Sequence, residues 1–288
     1  MKFVIAAAFQ PLDHLAELAR AADACGYEAM AFSDHVVYPE KLDTPYPYTP
    51  DGTRRYDETS QFPDPWVTIG ALAGVTTRLR FTTNVFVLAM RNLFAAAKAI
   101  ATAAVLSNDR VTLTVGVGWS KIEFELLGQD FATRGRRTDE MLEILPRLWS
   151  GEWVEHRGRF YPFPRLRMNP VPSRRIPIWV GGISDPALRR AARHDGWLSD
   201  LQTSEEIAAC VAKARRFRAE IGKDADSFEV MASASDAFSV DHYRRLADAG
   251  VTHVLTMPWV LYSGLTGDLG QKRDGIRRFA DEVIAKMR

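Results

Sequence analysis

Cysteine is nearly missing from this chain. Cys25 and Cys210 are the only two in 288 residues, too few for a disulfide framework or a four-cysteine zinc site. Each is expected to pack as a small apolar side chain on a helix, in a reducing, cytoplasmic setting. An excess of either charge is missing too. The 37 Lys+Arg stand against 36 Asp+Glu, a formal net charge of +1. That excludes a strongly basic nucleic-acid binder and a polyanionic tail protein, though not a local basic patch. No stretch approaches the ~20 apolar residues that a membrane span needs. Residues 1–9 resemble a short leader only until Asp13 and Glu17 open a charged helical pattern, so they read as a buried first strand. HExxH, GxSxG and the P-loop are absent, and none of the 6 histidines pairs with carboxylates at zinc spacing. Gly116-Val117-Gly118 begins a dinucleotide-like turn, but Lys121 stands where its third Gly belongs.

What is present is an ordinary globular composition, 47% hydrophobic and 25% charged, long enough to bury a large core. Apolar runs of strand length fall at 2–8, 28–32, 81–88, 111–115, 178–180, 196–201, 228–232 and 253–257. Helical spacing or composition marks 12–25, with Gly26 as a stop, and 93–106, 139–149, 186–194, 205–221, 240–249 and 274–287. Continuous apolar strands separated by helices mean a parallel sheet covered on both faces. The count favours an α/β fold of the (β/α)8 TIM-barrel type, one domain over 1–288, above an open doubly wound sheet. Long insertions are expected at about 35–66, 119–138 and 150–176. The first two follow strand ends, on the face where such barrels place their sites. The third follows a helix and has the length to cross over as a wall.

Special residues gather at the strand ends. Ser33-Asp34-His35 closes the second strand. His35 there can sit in the mouth and exchange protons near neutral pH. Asp34 can orient a ligand group or the backbone. The plainer alternative is a turn cap beside a surface histidine. Asn84 interrupts an apolar strand and needs a hydrogen-bond partner. Gly118, Gly181 and Gly182 allow close backbone approach. Ile183 and Ser184 lead into a helix with Pro186 near its start, a possible phosphate site or a plain tight turn. Arginines cluster at 134, 136 and 137 and again at 165, 167, 174 and 175, as solvated surface or as partners for an anionic tail. Loop aromatics including Trp66 and Trp119 suit a planar-ring pocket.

Several stretches in order carry a resemblance: FSDHVVYP, PYPYTPDG, DPWVTIGALAGVTTRLRFTTNVFVLAMRN, AVLSNDRVTLTVGVGWSKIEFELLG, RGRRTDEMLEILPRLWSGE and PIWVGGISDPALRRAARHDGW. Together they resemble the luciferase-like monooxygenase family, closest to its branch using the deazaflavin coenzyme F420. The resemblance weakens after about His242. It implies a (β/α)8 barrel with the cofactor ring in the mouth. It makes His35 the catalytic proton-transfer residue and Asp34 its cofactor-side neighbour. It places a non-proline cis peptide at Asn84-Val85, a cofactor contact at Val117-Gly118, and a phosphate-binding helix start at Gly181, Gly182, Ile183 and Ser184. Trp119 replaces the catalytic Glu of the family's sugar-phosphate dehydrogenases, which counts against that activity. Asn108-Asp109-Arg110 replaces a common Gly-Gly-Arg turn.

The expected activity is hydride transfer between F420 and a small organic substrate. The alternatives are an FMN-dependent monooxygenase using O2, or a non-catalytic flavin-binding barrel or partner subunit. The polyanionic tail of F420 suits the arginine clusters. Relatives often dimerise through helices beside the early strands, so a homodimer is expected, without nucleic acid, membrane or metal.

Overall fold

The computed structural model describes residues 1–224 and 227–287. In chain order the strands are β1 (Lys2–Ala6), β2 (Ala29–Phe32), β3 (Arg80–Thr83), β4 (Phe86–Val87), β5 (Leu113–Gly116), β6 (Val154–His156), β7 (Phe163–Leu166), β8 (Ile178–Gly181), β9 (Gly196–Gln202), β10 (Glu229–Ala234) and β11 (His253–Thr256). Nine form one parallel sheet in the order β3-β2-β1-β11-β10-β9-β8-β5-β4. Phe81 bridges Val111 and draws the two ends of the sheet together into a barrel. Every apolar run contributes to that sheet, as a (β/α)8 frame requires.

The run 81–88 is two strands rather than one. β3 pairs with β2, and β4 pairs with β5 on the other side. Between them the Asn84–Val85 peptide is cis, where the resemblance put it. The third stave of the barrel is thus shared between its neighbours.

The helices are α1 (Leu15–Cys25), α2 (Pro65–Ala73), α3 (Leu93–Leu106), α4 (Lys121–Leu126), α5 (Arg134–Leu148), α6 (Asp185–Ala192), α7 (Ser204–Glu220), α8 (Val240–Asp248), α9 (Val260–Ser263) and α10 (Leu269–Glu282). Helix α1 buries the stripe Leu15, Leu18, Ala19 and Ala22, and Gly26 ends it at φ 79°. Helix α2 is not visible as a stripe because PWVTIGALA is apolar on every side. Its start is well specified all the same. The Asp64 carboxylate accepts from Trp66 and Val67 N–H, and Pro65 fills the first turn. The insertions carry structure of their own at their edges. The first ends as α2 begins, and the second holds α4 and the opening turn of α5, which starts at Arg134 rather than 139.

Two layers of core hold this together. Inside the barrel Val4, Ala29, Ala31, Trp179, Leu198, Met231 and Leu255 pack as a plug, with Val85 against it. Outside, a larger cluster joins the strands to the helices. The hairpin β6–β7 packs away from the mouth. Phe163 meets Phe94 of α3 at 5.3 Å, and Glu140 of α5 accepts from Phe160 and Tyr161 N–H. Helices α3 and α5 therefore hold the third insertion on the barrel's flank. In the Asn108-Asp109 turn both residues have positive φ, 54° and 59°. Asn and Asp tolerate that region better than other side chains, so they do the work of two glycines.

Candidate active site

At the end of β2 the chain presents consecutive side chains in opposite directions. Asp34 turns into the frame. One of its oxygens accepts from Val87 N–H at 2.9 Å and the other from Arg91 Nη2 at 2.6 Å. Its side chain is fully buried. Burial pushes the Asp34 carboxyl up, against the pull of Arg91 and the Val87 N–H. Both oxygens are thus committed within the protein, and Asp34 fixes the backbone just past the cis peptide. In this arrangement Asp34 orients the backbone.

His35 turns the other way. Its Nδ1 lies 2.8 Å from Glu123 Oε2, and the other Glu123 oxygen accepts from Val36 N–H at 2.8 Å. The Glu123 side chain is 2% exposed and that of His35 15%. Burial pushes the Glu123 carboxyl up, but the His35 contact and the Val36 N–H outweigh it and hold it below its ordinary range. An ionised carboxylate only accepts, so Nδ1 carries the hydrogen and Nε2 is free to handle a second proton. Glu123 sits on α4, a six-residue helix that follows the β5 turn. No apolar stripe and no cap marks it in the sequence.

Aromatic rings surround the imidazole. Tyr56, Phe62 and Trp119 lie at centroid distances of 5.1, 4.9 and 5.8 Å, and Tyr46 packs edge-on to Trp119 at 5.2 Å. Trp119 is therefore in the cluster. Trp66 is not. It lies buried in α2, edge-on to Phe86 at 5.3 Å, as part of the outer core.

The glycines of the mouth are shaped by Val85. A Cβ at Gly116 would come within 2.4 Å of one Val85 methyl, and a Cβ at Gly181 within 2.7 Å of the other. A Cβ at Gly118 would meet Val87 and Phe124 at 2.6 and 2.8 Å. Val85, Val87 and Phe124 thus crowd the glycines at these strand ends, and Asn84, Val85, Val117 and Gly118 are each half-buried. At the far side Gly182, Ile183 and Ser184 are exposed, and Ser184 makes no side-chain cap bond at the start of α6.

The arginine clusters are largely used by the protein itself. Arg134 donates to the Gly118 carbonyl at 3.0 Å and stacks on Phe131. Arg137 is buried and donates to Ala89 O. Arg175 forms a paired contact with Asp195 at 2.7 and 2.8 Å. Arg165 lies over Trp153.

A parallel barrel whose carboxyl mouth carries a carboxylate-anchored histidine under aromatic rings defines an enzyme of the TIM-barrel class. The family model of the luciferase-like monooxygenases matches residues 1–273, and the chain belongs to that family of oxidoreductases. It is 40% identical over 290 residues to an uncharacterized protein of Mycobacterium tuberculosis, covering 100% of both. It is 35% identical over 105 residues to the FMNH2-dependent dimethylsulfone monooxygenase of Pseudomonas fluorescens, covering 35% of this chain and 29% of that one. Among solved structures, the coenzyme F420 dependent tetrahydromethanopterin reductase of Methanopyrus kandleri superposes with a TM-score of 0.78 at 16% identity, over 100% of this chain and 99% of that one. No described helix is long and apolar enough to cross a membrane. Among the described residues no cluster of His, Cys, Asp or Glu could hold a metal.

Proposed function

We propose that this protein is an F420-dependent oxidoreductase in which His35 manages the proton that accompanies hydride transfer to or from a small organic substrate. The observation that carries this reading is the His35–Glu123 contact of 2.8 Å. It fixes the tautomer and aims Nε2 into the mouth, the geometry a general acid–base residue needs. Bound deazaflavin supplies the two-electron hydride chemistry.

The residues fit such a group. Val85, Val117 and Gly118 offer an apolar floor to a planar ring. The Gly182 N–H donates to Leu198 O, and the exposed Ile183 and Ser184 beyond it lead into the start of α6, where first-turn N–H groups suit an anionic tail. Asp34 holds the floor from behind through Val87. The aromatic wall around His35, with Trp119 in it, suits a ring-bearing substrate. The name of the Methanopyrus kandleri reductase supports F420, and that of the Pseudomonas fluorescens monooxygenase supports FMN as the rival.

Titrating the protein with F420 and with FMN, following ring fluorescence, separates the readings. We expect micromolar binding of F420 and none of FMN. Binding of FMN alone would convert the reading to an O2-using monooxygenase. Binding of neither would leave a non-catalytic barrel.

We also propose a homodimer. Helix α2 has no charged residue and α3 only Lys98, yet Val67 is 74% exposed and Leu106 61%. Adjacent apolar helices left uncovered mark an interface. Sedimentation should show a dimer that the V67E/L106E double variant dissociates; a monomeric parent chain overturns the assignment. With both thiols free, we place the enzyme in the cytoplasm.

A further inference from the structure

We propose that Tyr56 is a second proton-carrying catalytic residue, delivered to His35 by a lid that spans the barrel mouth and latches on Asp200. This rests on the oxidoreductase reading above and extends it to substrates of the carbonyl–alcohol class.

The segment between β2 and α2 crosses the mouth. It leaves from β2, and Arg55 reaches β9, four strands away in the sheet. Arg55 Nη2 donates to Asp200 Oδ2 at 2.9 Å, and its Nε donates to Tyr46 OH at 3.0 Å. Asp200 is available because β9 bulges there. Its pairing with β10 jumps from Ser199 opposite Ala232 to Gln202 opposite Ala234, leaving Asp200 and Leu201 outside the ladder. Leu201 accordingly has φ 47°. Such bulges re-aim side chains at strand ends.

Tyr56 is the next residue after Arg55. Its backbone is held from the other side by a turn in which Asp57 accepts from Thr59 N–H and Ser60 Oγ. Its ring packs against Phe9, Phe62, Tyr38 and Tyr46. Its hydroxyl lies 3.4 Å from His35 Nε2, long for a hydrogen bond. Catalytic contacts are often long without ligand and tighten on binding. Since Nδ1 donates to Glu123, the phenol donates to Nε2. The result is a chain of carboxylate, imidazole and phenol running from the frame to the lid. The titratable and charged groups facing Tyr56 are His35, Glu123, Arg54, Tyr38 and Tyr46. Burial, then the Glu123 charge, pushes the phenol up, so it stays protonated at neutral pH.

The step balances as follows. A carbonyl carbon accepts hydride from reduced F420, which is oxidised by two electrons as the carbonyl is reduced. The substrate oxygen takes the phenol proton as the Tyr56 O–H bond breaks. The phenolate recovers its proton from His35 Nε2, which takes one from water once the hydroxyl turns from it to the substrate, while Nδ1–H stays on Glu123. Alcohol oxidation runs the same transfers in reverse.

Tyr56→Phe keeps the ring packing and removes only the hydroxyl. Nitrogen NMR of the ligand-free protein should show the His35 Nε2 resonance shifted in Tyr56→Phe, and shifted the same way in Asp200→Ala. No shift in Tyr56→Phe overturns the contact, and no shift in Asp200→Ala overturns the latch. In oxidation of reduced F420 by a panel of aromatic and aliphatic aldehydes, kcat of Tyr56→Phe should fall about 100-fold. Its F420 affinity should stay within about twofold of the parent's, since the hydroxyl acts on proton transfer. Equal kcat in an active parent overturns the role of Tyr56 alone. A parent that binds F420 but turns over none of the panel overturns the carbonyl–alcohol chemistry, and Tyr56 with it.

Discussion

The two ends of the barrel each hold a histidine beside a glutamate, and they use the pair differently. At the mouth the carboxylate is the more buried partner: Glu123 is 2% exposed and its imidazole 15%. At the floor the order is reversed. The His253 side chain is 4% exposed, and Glu229, 3.5 Å away, is 39% exposed. A buried anion demands donors, so Glu123 fixes an N–H on His35 and points the other nitrogen at the site. A buried imidazole sheds its charge. Burial pulls His253 down to about 4, with Glu229 opposing, and its ring packs against Trp179 at 5.0 Å. Which partner is taken out of water decides whether the pair holds an oriented imidazole or a neutral one that fills space.

The largest effect should separate the two ends directly. Glu123→Gln keeps the shape of the mouth pair but loses the charge, and turnover should fall about 10²–10⁴-fold. Glu229→Gln at the floor should leave turnover within about twofold, since it touches no reacting group. Equal losses would erase the contrast. His35→Ala should cost about as much as Glu123→Gln, and the double variant little more, because the two act as one unit. Cofactor affinity should persist in each. Additive losses would show that Glu123 does not act through His35.

Stability should respond to pH through the floor. His253 and His194 are both held near 4 by burial, against an ordinary 6.5. Between those values the unfolded chain binds more protons, so stability falls as pH drops from 6.5 toward 4. The expected loss is about 2–3 kcal/mol for each such group. Urea melts at pH 7 and pH 5 check it. His253→Gln should flatten the profile, and an unchanged slope would contradict a neutral floor histidine.

The smallest effect concerns the floor of the mouth itself. Gly181→Ala should cost about 1–3 kcal/mol because its methyl meets Val85. Adding Val85→Ala should restore part of that loss. A Gly181 variant that is fully stable yet binds F420 poorly would instead favour a direct phosphate contact.

Much of this frame is legible from residues alone, because strands buried on both faces read as apolar runs. The staves at 111–115 and 253–257 differ from the observed ones by two residues or fewer at each end. What escaped did so for physical reasons. Helix α2 is apolar all round and shows no stripe. The split of 81–88 depends on which neighbour each half pairs with, which is tertiary information. Asp34 finds Arg91 57 residues later. Glu123 lies on a helix too short to have a period. His35 was visible as a histidine at a strand end; the carboxylate that orients it was not. The arginine clusters show the converse, since a charge run says nothing of the carbonyls and carboxylates waiting for it.

The opposed directions of Asp34 and His35 have a consequence for motion. Asp34 is clamped on both oxygens by Val87 and Arg91, and Glu123 grips the imidazole and the Val36 amide from α4. The imidazole is therefore tied twice, through its neighbour Asp34 to the barrel wall and through Glu123 to α4. These anchors are separate from the Arg55–Asp200 contact, so a movement of the segment beyond would leave the ring where it is.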